Sequence, residues 1–536
     1  MREIILGITH FLVLLNAVYA QSPQCQPAIF KDIESGQIVH LDTTLLFTES
    51  GSTGGIWRSN GTISGTAKLT TAPAYSQFPD KPCIQNGFIY FYTSSPLQLW
   101  KTDGTEAGTA LVKAFPNANA IRSLVATNSM VFFLVEGGNY VNKFWKTNGT
   151  EAGTMIVKDT DPTNSLSWDP FRLFATDDLV FFHAGTASTG IEIWKSDGTA
   201  DGTNIIKEIN PGPNDGTYHI INGSMAELNG KVYFYGGASS TTNEQGLWET
   251  DGTEAGTQFL QEVGSFSNAF TYGNAFYFTA NDAQAINGNT QFGLELWKCN
   301  GTPSGTVMIK DIYPGTAGSI PGSFSIKALA SNILFYADNG TSGYEPWISD
   351  GTEGGTQMLK DIYPGQSSSA NGLYASDILD GFAYFMADNG VNGKELWGTD
   401  GTSAGTNLVA DIIPGSDESI PLQFDVCNGN LYFSALAANA FDNSIWTCGN
   451  NLGVKPSTDN QVAVYPNPGN GQFQIINLPL NSTFEVISTL GIVVASEKTT
   501  NSEYPLNLRH CSSGLYTLMV RYANGSIGSQ KILITN

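Results

Sequence analysis

The chain is poor in the side chains that most enzymes and nucleic-acid binders rely on. It has five histidines and 25 lysines and arginines against 48 aspartates and glutamates, for a formal charge of −23. That field repels polyphosphates, so nucleic acid is disfavoured and no nucleic-acid partner is expected. Its six cysteines (Cys25, Cys83, Cys299, Cys427, Cys448 and Cys511) form no Cys-x-x-Cys and no Cys/His cluster, which argues against zinc. His10 lies in the N-terminal apolar segment. His40, His183, His219 and His510 are scattered, and no Ser/His/Asp grouping or Gly-rich phosphate loop is present. Helical periodicity is missing as well. Long apolar runs are missing beyond Ile4–Leu15, so the mature chain is read as having no transmembrane segment.

That first run has a charged start (Met1-Arg2-Glu3) and is followed by Val18-Tyr19-Ala20, the pattern of a signal peptide spanning 1–20. Export makes disulfides permissible.

A repeat fills most of the remainder. Trp-x-x-(Asp/Asn)-Gly-Thr-x-x-Gly-Thr starts at Trp57, Trp100, Trp145, Trp194, Trp248, Trp297, Trp347 and Trp397, and Trp446 marks a worn ninth copy. Successive tryptophans stand 43 to 54 residues apart, a period of propellers or solenoids. An apolar run ending in phenylalanine precedes each one: Phe47, Phe91, Phe133, Phe182, Phe234, Phe278, Phe335, Phe385 and Phe433. Runs such as Lys231-Val232-Tyr233-Phe234 suit strands buried on both faces. We therefore expect an all-β chain: a propeller over 21–448 of about nine four-stranded blades, with eight as the alternative, phenylalanine on strand b and tryptophan on strand c. The ninth unit lacks a strand d. Ala28-Ile29-Phe30-Lys31-Asp32-Ile33 matches the strand d segment Met358-Leu359-Lys360-Asp361-Ile362, so the N-terminal strand is expected to close the ring. That pairing would bring Cys25 beside Cys448 as a disulfide, with Cys427 as the alternative partner.

The Trp-to-second-Thr distance is nine residues in all eight full copies, so the c–d turn is constant. Asp and Asn alternate at its first landmark, which fits turn chemistry better than a metal site. The Phe-to-Trp distance varies from 9 to 19 residues, most at Asn281–Gly293. The b–c and d–a loops share one rim, and variable loops on a rigid scaffold are where binding sits. Two similar loops there supply the candidate ligand-binding residues: Asp338, Asn339, Tyr344 and Glu345, then Asp388, Asn389 and Glu395. Their paired carboxylates could hold calcium or serve as acid and base; turn chemistry is the plainer reading, and no other cofactor is indicated. Tyr313, Tyr363 and Trp168 lie near the same rim, able to stack on sugars or to pack blade edges.

Residues 449–461 read as a polar linker, and 462–536 as a small Ig-like β-sandwich. Val464-Tyr465-Pro466-Asn467-Pro468, Leu490-Gly491, Ser513-Gly514-Leu515-Tyr516 and Lys531-Ile532 resemble the type A C-terminal sorting domain of the type IX secretion system of Bacteroidota. The repeats resemble the ELWxxDGT family, most closely at Glu395-Leu396-Trp397 with Asp400-Gly401-Thr402. The first resemblance implies recognition by the type IX machinery and a protein released or attached to the outer surface. The second implies no established activity. The expected function is a secreted or cell-surface propeller that binds an extracellular polymer such as a carbohydrate, or a protein ligand. The alternatives are a glycan hydrolase or lyase on a propeller scaffold and a structural adhesion component. No catalytic residue is assigned.

Overall fold

The computed structural model describes residues 27–449, interrupted at 51–53, 71, 74–75, 80–81, 138–142, 159–170, 218–224, 238–243, 283–290, 321–325, 371–375 and 438–442. It also describes 463–534, interrupted at 466–470, 477–481, 489–492, 500, 502 and 522–526. The expected signal peptide, Cys25, Trp168, His219, the linker and most of the 281–293 loop lie outside these residues. The chain divides into two compact units, 1–450 and 451–536.

The first unit is a succession of nine antiparallel sheets, eight built from consecutive strands. The third is typical, with strands a to d at Ala120–Ala126, Val131–Glu136, Lys143–Thr147 and Met155–Lys158. The ninth is composite. Leu422–Cys427, Asn430–Leu436 and Asn443–Gly449 are completed by Ala28–Lys31, which pairs antiparallel with the last of them, Ala28 opposite Thr447 and Ile29 opposite Trp446. The N-terminal segment therefore supplies the missing strand d, and nine sheets, not eight, are present among the described residues.

Burial on both faces explains the apolar runs. All nine phenylalanines of strand b are at most 1% exposed. Each lies opposite its tryptophan across the b–c pair, as Phe133 does with Trp145, ring centroids 6.3 Å apart. The cores form between sheets rather than within them. Phe132, Leu134 and Phe144 of the third sheet pack on Val180, Phe182 and Trp194 of the fourth. The series returns to its start, since Cys427, Tyr432 and Ile445 of the ninth sheet pack on Ile38, Leu45 and Phe47 of the first.

Lysines add a second seam that runs in one direction. Lys146 and Lys158 of the third sheet donate to the Gly198 and Thr203 carbonyls in the c–d turn of the fourth, both at 2.6 Å. Lys195 and Lys207 repeat this toward Gly252 and Thr257, and Lys310 and Lys360 toward Thr356 and Thr406. Lys113, Lys158, Lys207 and Lys360, on or just after strand d, also lie over the next tryptophan, Lys360 over Trp397 at 5.8 Å. Lys31 of the N-terminal strand lies over Trp57 at 4.4 Å, so it makes the same ring contact with the first sheet.

The second unit has a three-stranded sheet (Ala463–Tyr465, Gln472–Ile476, Glu503–Asn507) and a four-stranded one whose central strands are Ser482–Ser488 and Gly514–Arg521. Both contribute to one core that includes Phe473, Ile475, Phe484, Val486, Leu506 and Leu518. Among the described residues, no helix is long and apolar enough to cross a membrane.

Candidate functional site

An up-and-down sheet sends its a–b and c–d turns to one rim and its b–c and d–a loops to the other. The c–d turns are a closed set of internal bonds. Asp103 Oδ1 accepts from the Thr105 N–H at 2.8 Å and from Thr105 Oγ1 at 2.7 Å, and Thr109 Oγ1 donates to the Thr105 carbonyl at 2.6 Å. Asn148 Oδ1 makes the same two bonds with Thr150, which explains why Asp and Asn interchange: only one side-chain oxygen is used. The second glycine leaves room for that side chain, since a Cβ on Gly108 would lie 2.0 Å from Asp103 Oδ1. A cavity of about 450 Å³ sits on this rim between the turns of the sixth and seventh sheets, lined by Asn274, Tyr277, Lys298, Asn300, Ser304 and Asp350 among others.

The variable rim carries the residues singled out from sequence. In the seventh sheet Asp338 Oδ1 accepts from the Gly340 N–H at 2.7 Å, and Asn339 Oδ1 accepts from the Thr341 and Ser342 N–H groups at 2.9 and 3.0 Å. In the eighth, Asp388 Oδ1 accepts from Gly390 at 2.7 Å, and Asn389 Oδ1 from Val391 and Asn392 at 2.9 Å each. All four are half-buried and hold their loops as turns. Tyr344, also half-buried, opens strand c opposite Asp338.

Glu345 and Glu395 are not rim groups. Both are fully buried. Glu345 accepts from the N–H groups of Ile362, Tyr363 and Ser369 at 3.0 to 3.2 Å. Glu395 accepts from Ile412, Ile413 and Ser419 at 2.8 to 3.4 Å, and from Ser419 Oγ at 2.7 Å. Strand c directs each carboxylate inward under the d–a connection, so the acidic pairs expected from sequence do not form on the surface. Glu295 holds Ile312, Tyr313 and Ser319 likewise, and Glu192 holds Ile209 and Asn210. Burial pushes Glu192, Glu295 and Glu345 up to about 7 against the pull of these donors, and it raises Glu395 as well.

Sequence reading missed these anchors. Their signal was a glutamate two residues before tryptophan, with a serine 24 residues later: Glu295/Ser319, Glu345/Ser369 and Glu395/Ser419. The serine carbonyl then reaches the following sheet, where Asp338 N–H donates to Ser319 and Asp388 N–H to Ser369, both at 2.8 Å.

Tyr313 and Tyr363 come next to the candidate loops. A Cβ at Gly340 would lie 2.9 Å from the Tyr313 ring, and one at Gly390 2.8 Å from that of Tyr363. Each half-buried ring thus rests on a glycine of the next sheet's b–c loop. Among the described residues, no three His, Cys, Asp or Glu side chains gather where a metal ion could be held.

Residues 463–535 match the family of the secretion system C-terminal sorting domain. The tail is a sorting signal. It marks the chain as secreted or surface-attached. No curated protein matches the chain. Among solved structures it is similar to PorZ, a bacterial surface component of the type-IX secretion system of Porphyromonas gingivalis, at 11% identity over 94% of this chain and 86% of that one, TM-score 0.18. It is also similar to the β-propeller domain of the Trilobed protease from Pyrococcus furiosus, at 12% identity over 61% and 97%, TM-score 0.31. The extracellular domain of BT4673 from B. thetaiotaomicron is a third, at 9% identity over 94% and 87%, TM-score 0.28. At these scores no activity or partner carries over from them.

Proposed function

We propose that this chain is a binding propeller of the ELWxxDGT type. The type IX machinery recognises its tail, and its variable rim takes an extracellular polymer, carbohydrate foremost. The observation that carries the binding reading is the repeated contact of a rim tyrosine with a glycine loop, Tyr313 on Gly340 and Tyr363 on Gly390, beside Asp and Asn side chains. An aromatic ring next to amides and carboxylates offers a sugar both a stacking surface and hydrogen bonds. Burial of Glu345 and Glu395 weighs against a hydrolase, because neither carboxylate reaches a substrate on the rim. The test is one purified sample assayed for glycan-array binding and for glycan turnover. Binding without turnover is expected. Turnover would make the protein an enzyme, and neither would leave a structural or adhesion role.

A further inference from the structure

The rim of sheets six to eight contains the same assembly twice, fifty residues apart. Glu295 holds the Tyr313 N–H at 3.3 Å, and the Tyr313 ring lies on Gly340 beside Asp338 and Asn339. Glu345 holds the Tyr363 N–H at 3.2 Å, and the Tyr363 ring lies on Gly390 beside Asp388 and Asn389. Each assembly draws on two adjacent sheets and is fixed from below by a buried carboxylate, so its ring and loop are positioned before any ligand arrives. The series ends at the next seam. Glu395 holds Ile413 in place of a tyrosine, and Leu436 stands where Asp338 and Asp388 stood, its N–H on the Ser419 carbonyl.

We propose that these two assemblies are tandem subsites for one linear polysaccharide of neutral or amino-sugar units, each taking a separate unit or short segment of the same strand. This rests on the carbohydrate reading above and adds to it the ligand's repetition and charge. Repetition follows from the duplicated geometry: a single small ligand needs one subsite, whereas a repeating chain can occupy both. The charge follows from Asp338 and Asp388, one in each subsite, on a protein of formal charge −23, which disfavours uronate or sulfated polymers. The subsites are alike but not identical. Tyr344 opens strand c at the first, and Lys394, tied to Glu418 at 3.0 Å, opens it at the second. Two linked subsites turn the second contact into an intramolecular one, and avidity gains of about 10²-fold are ordinary for such pairs.

The experiment measures binding of the full chain to a soluble neutral glucan, a soluble mannan, chitosan and, as anionic control, polygalacturonate, each beside its own trisaccharide. At least one neutral or amino-sugar polymer is expected to bind at least tenfold more tightly than its trisaccharide, and polygalacturonate not at all. Tyr313→Ala and Tyr363→Ala should each abolish the polymer's advantage while leaving weak trisaccharide binding, and the double variant should lose both. Asn339→Asp and Asn389→Asp, which keep the turn-forming oxygen, provide a second pair should the tyrosine variants misfold. If polymer and trisaccharide bind equally, or single variants spare the advantage, the tandem arrangement is wrong and the carbohydrate reading survives. If no saccharide binds, both fall.

Discussion

His40 Nδ1 stands 2.7 Å from Asp425 Oδ1 and so ties the first sheet to the ninth. Nearby, Asn428 Nδ2 donates to the Thr43 carbonyl at 2.7 Å across the same seam. The hydrogen bond to Asp425 raises the His40 pKa above its ordinary value; burial opposes this, and the charges of Asp425, Asp377 and Asp42 reinforce it. A raised histidine stabilises fully below its unfolded value near 6.5 and loses that contribution as pH rises through the folded value. His40 is about half exposed, so the expected difference between wild type and His40→Ala is below ~1 kcal/mol. It should be present at pH 5.5 and absent by pH 9 in urea titrations. A gap that widens with pH would falsify this account.

Glu345→Ala should be far more costly. It leaves the N–H groups of Ile362, Tyr363 and Ser369 without their acceptor, at about 1–3 kcal/mol for each buried donor that finds no water. Glu345→Gln keeps one acceptor and should lose less. The pH dependence has a definite sign. Because burial lifts Glu345 to about 7 from 4.5, its titration favours the folded state below pH 4.5, and that contribution fades between 4.5 and about 7. The stability of wild type relative to Glu345→Gln should therefore fall across that window in chemical denaturation. A flat difference would show that the carboxylate does not titrate there.

Trp397→Ala removes a side chain 5% exposed that stacks under Lys360 and packs on the seventh sheet. A loss of about 3–5 kcal/mol is expected, as for other large buried aromatics. Glycan binding by the folded fraction should be unchanged. A variant of normal thermal stability that had lost binding would place the ligand on the tryptophan instead.

From the pairing that sets Ala28 across from Thr447, with Cys448 the next residue, we predict a Cys25–Cys448 disulfide; Cys25 lies outside the described residues. Cys427, the alternative partner, is a buried free thiol, as are Cys83 and Cys299. Peptide mapping of non-reduced protein should recover Cys25 linked to Cys448, with those three thiols alkylated only after denaturation. Recovery of unlinked Cys25 refutes the bond.

Removing 462–536 should leave the first unit folded, since the second has its own core. The truncated chain should accumulate in the periplasm. Its efficient appearance outside the cell would show that the tail is not the export signal.

The architecture was legible because two residues per repeat, the strand b phenylalanine and the strand c tryptophan, are packed alike in every sheet. Ala28–Ile33 could be matched to strand d because Lys31 makes the same contact as Lys360. The site was less legible. Glu345 and Glu395 are charged residues beside variable loops, and charge ordinarily marks a surface. Their partners are mostly backbone N–H groups 17 to 24 residues away, which no side-chain pattern reports. The lysine seams escaped for the same reason: carbonyl acceptors such as those of Gly198 and Thr203 carry no sequence identity.

Those seams bear on how such a chain could grow. At the seams from the third sheet to the fourth, the fourth to the fifth, the sixth to the seventh and the seventh to the eighth, a lysine reaches forward to the sheet that follows and the turn receives from the sheet before. A duplicate of the fourth or seventh unit, inserted beside its original, would therefore arrive with its own donor and its own acceptor, and would leave neither neighbour unmatched. No single seam counts the units. Only the divided ninth sheet, whose last strand comes from the other end of the chain, requires the array to meet itself. The number of units is thus a property that gene duplication can change in whole steps, and chimaeras with one unit added or removed are the natural material in which to look for it.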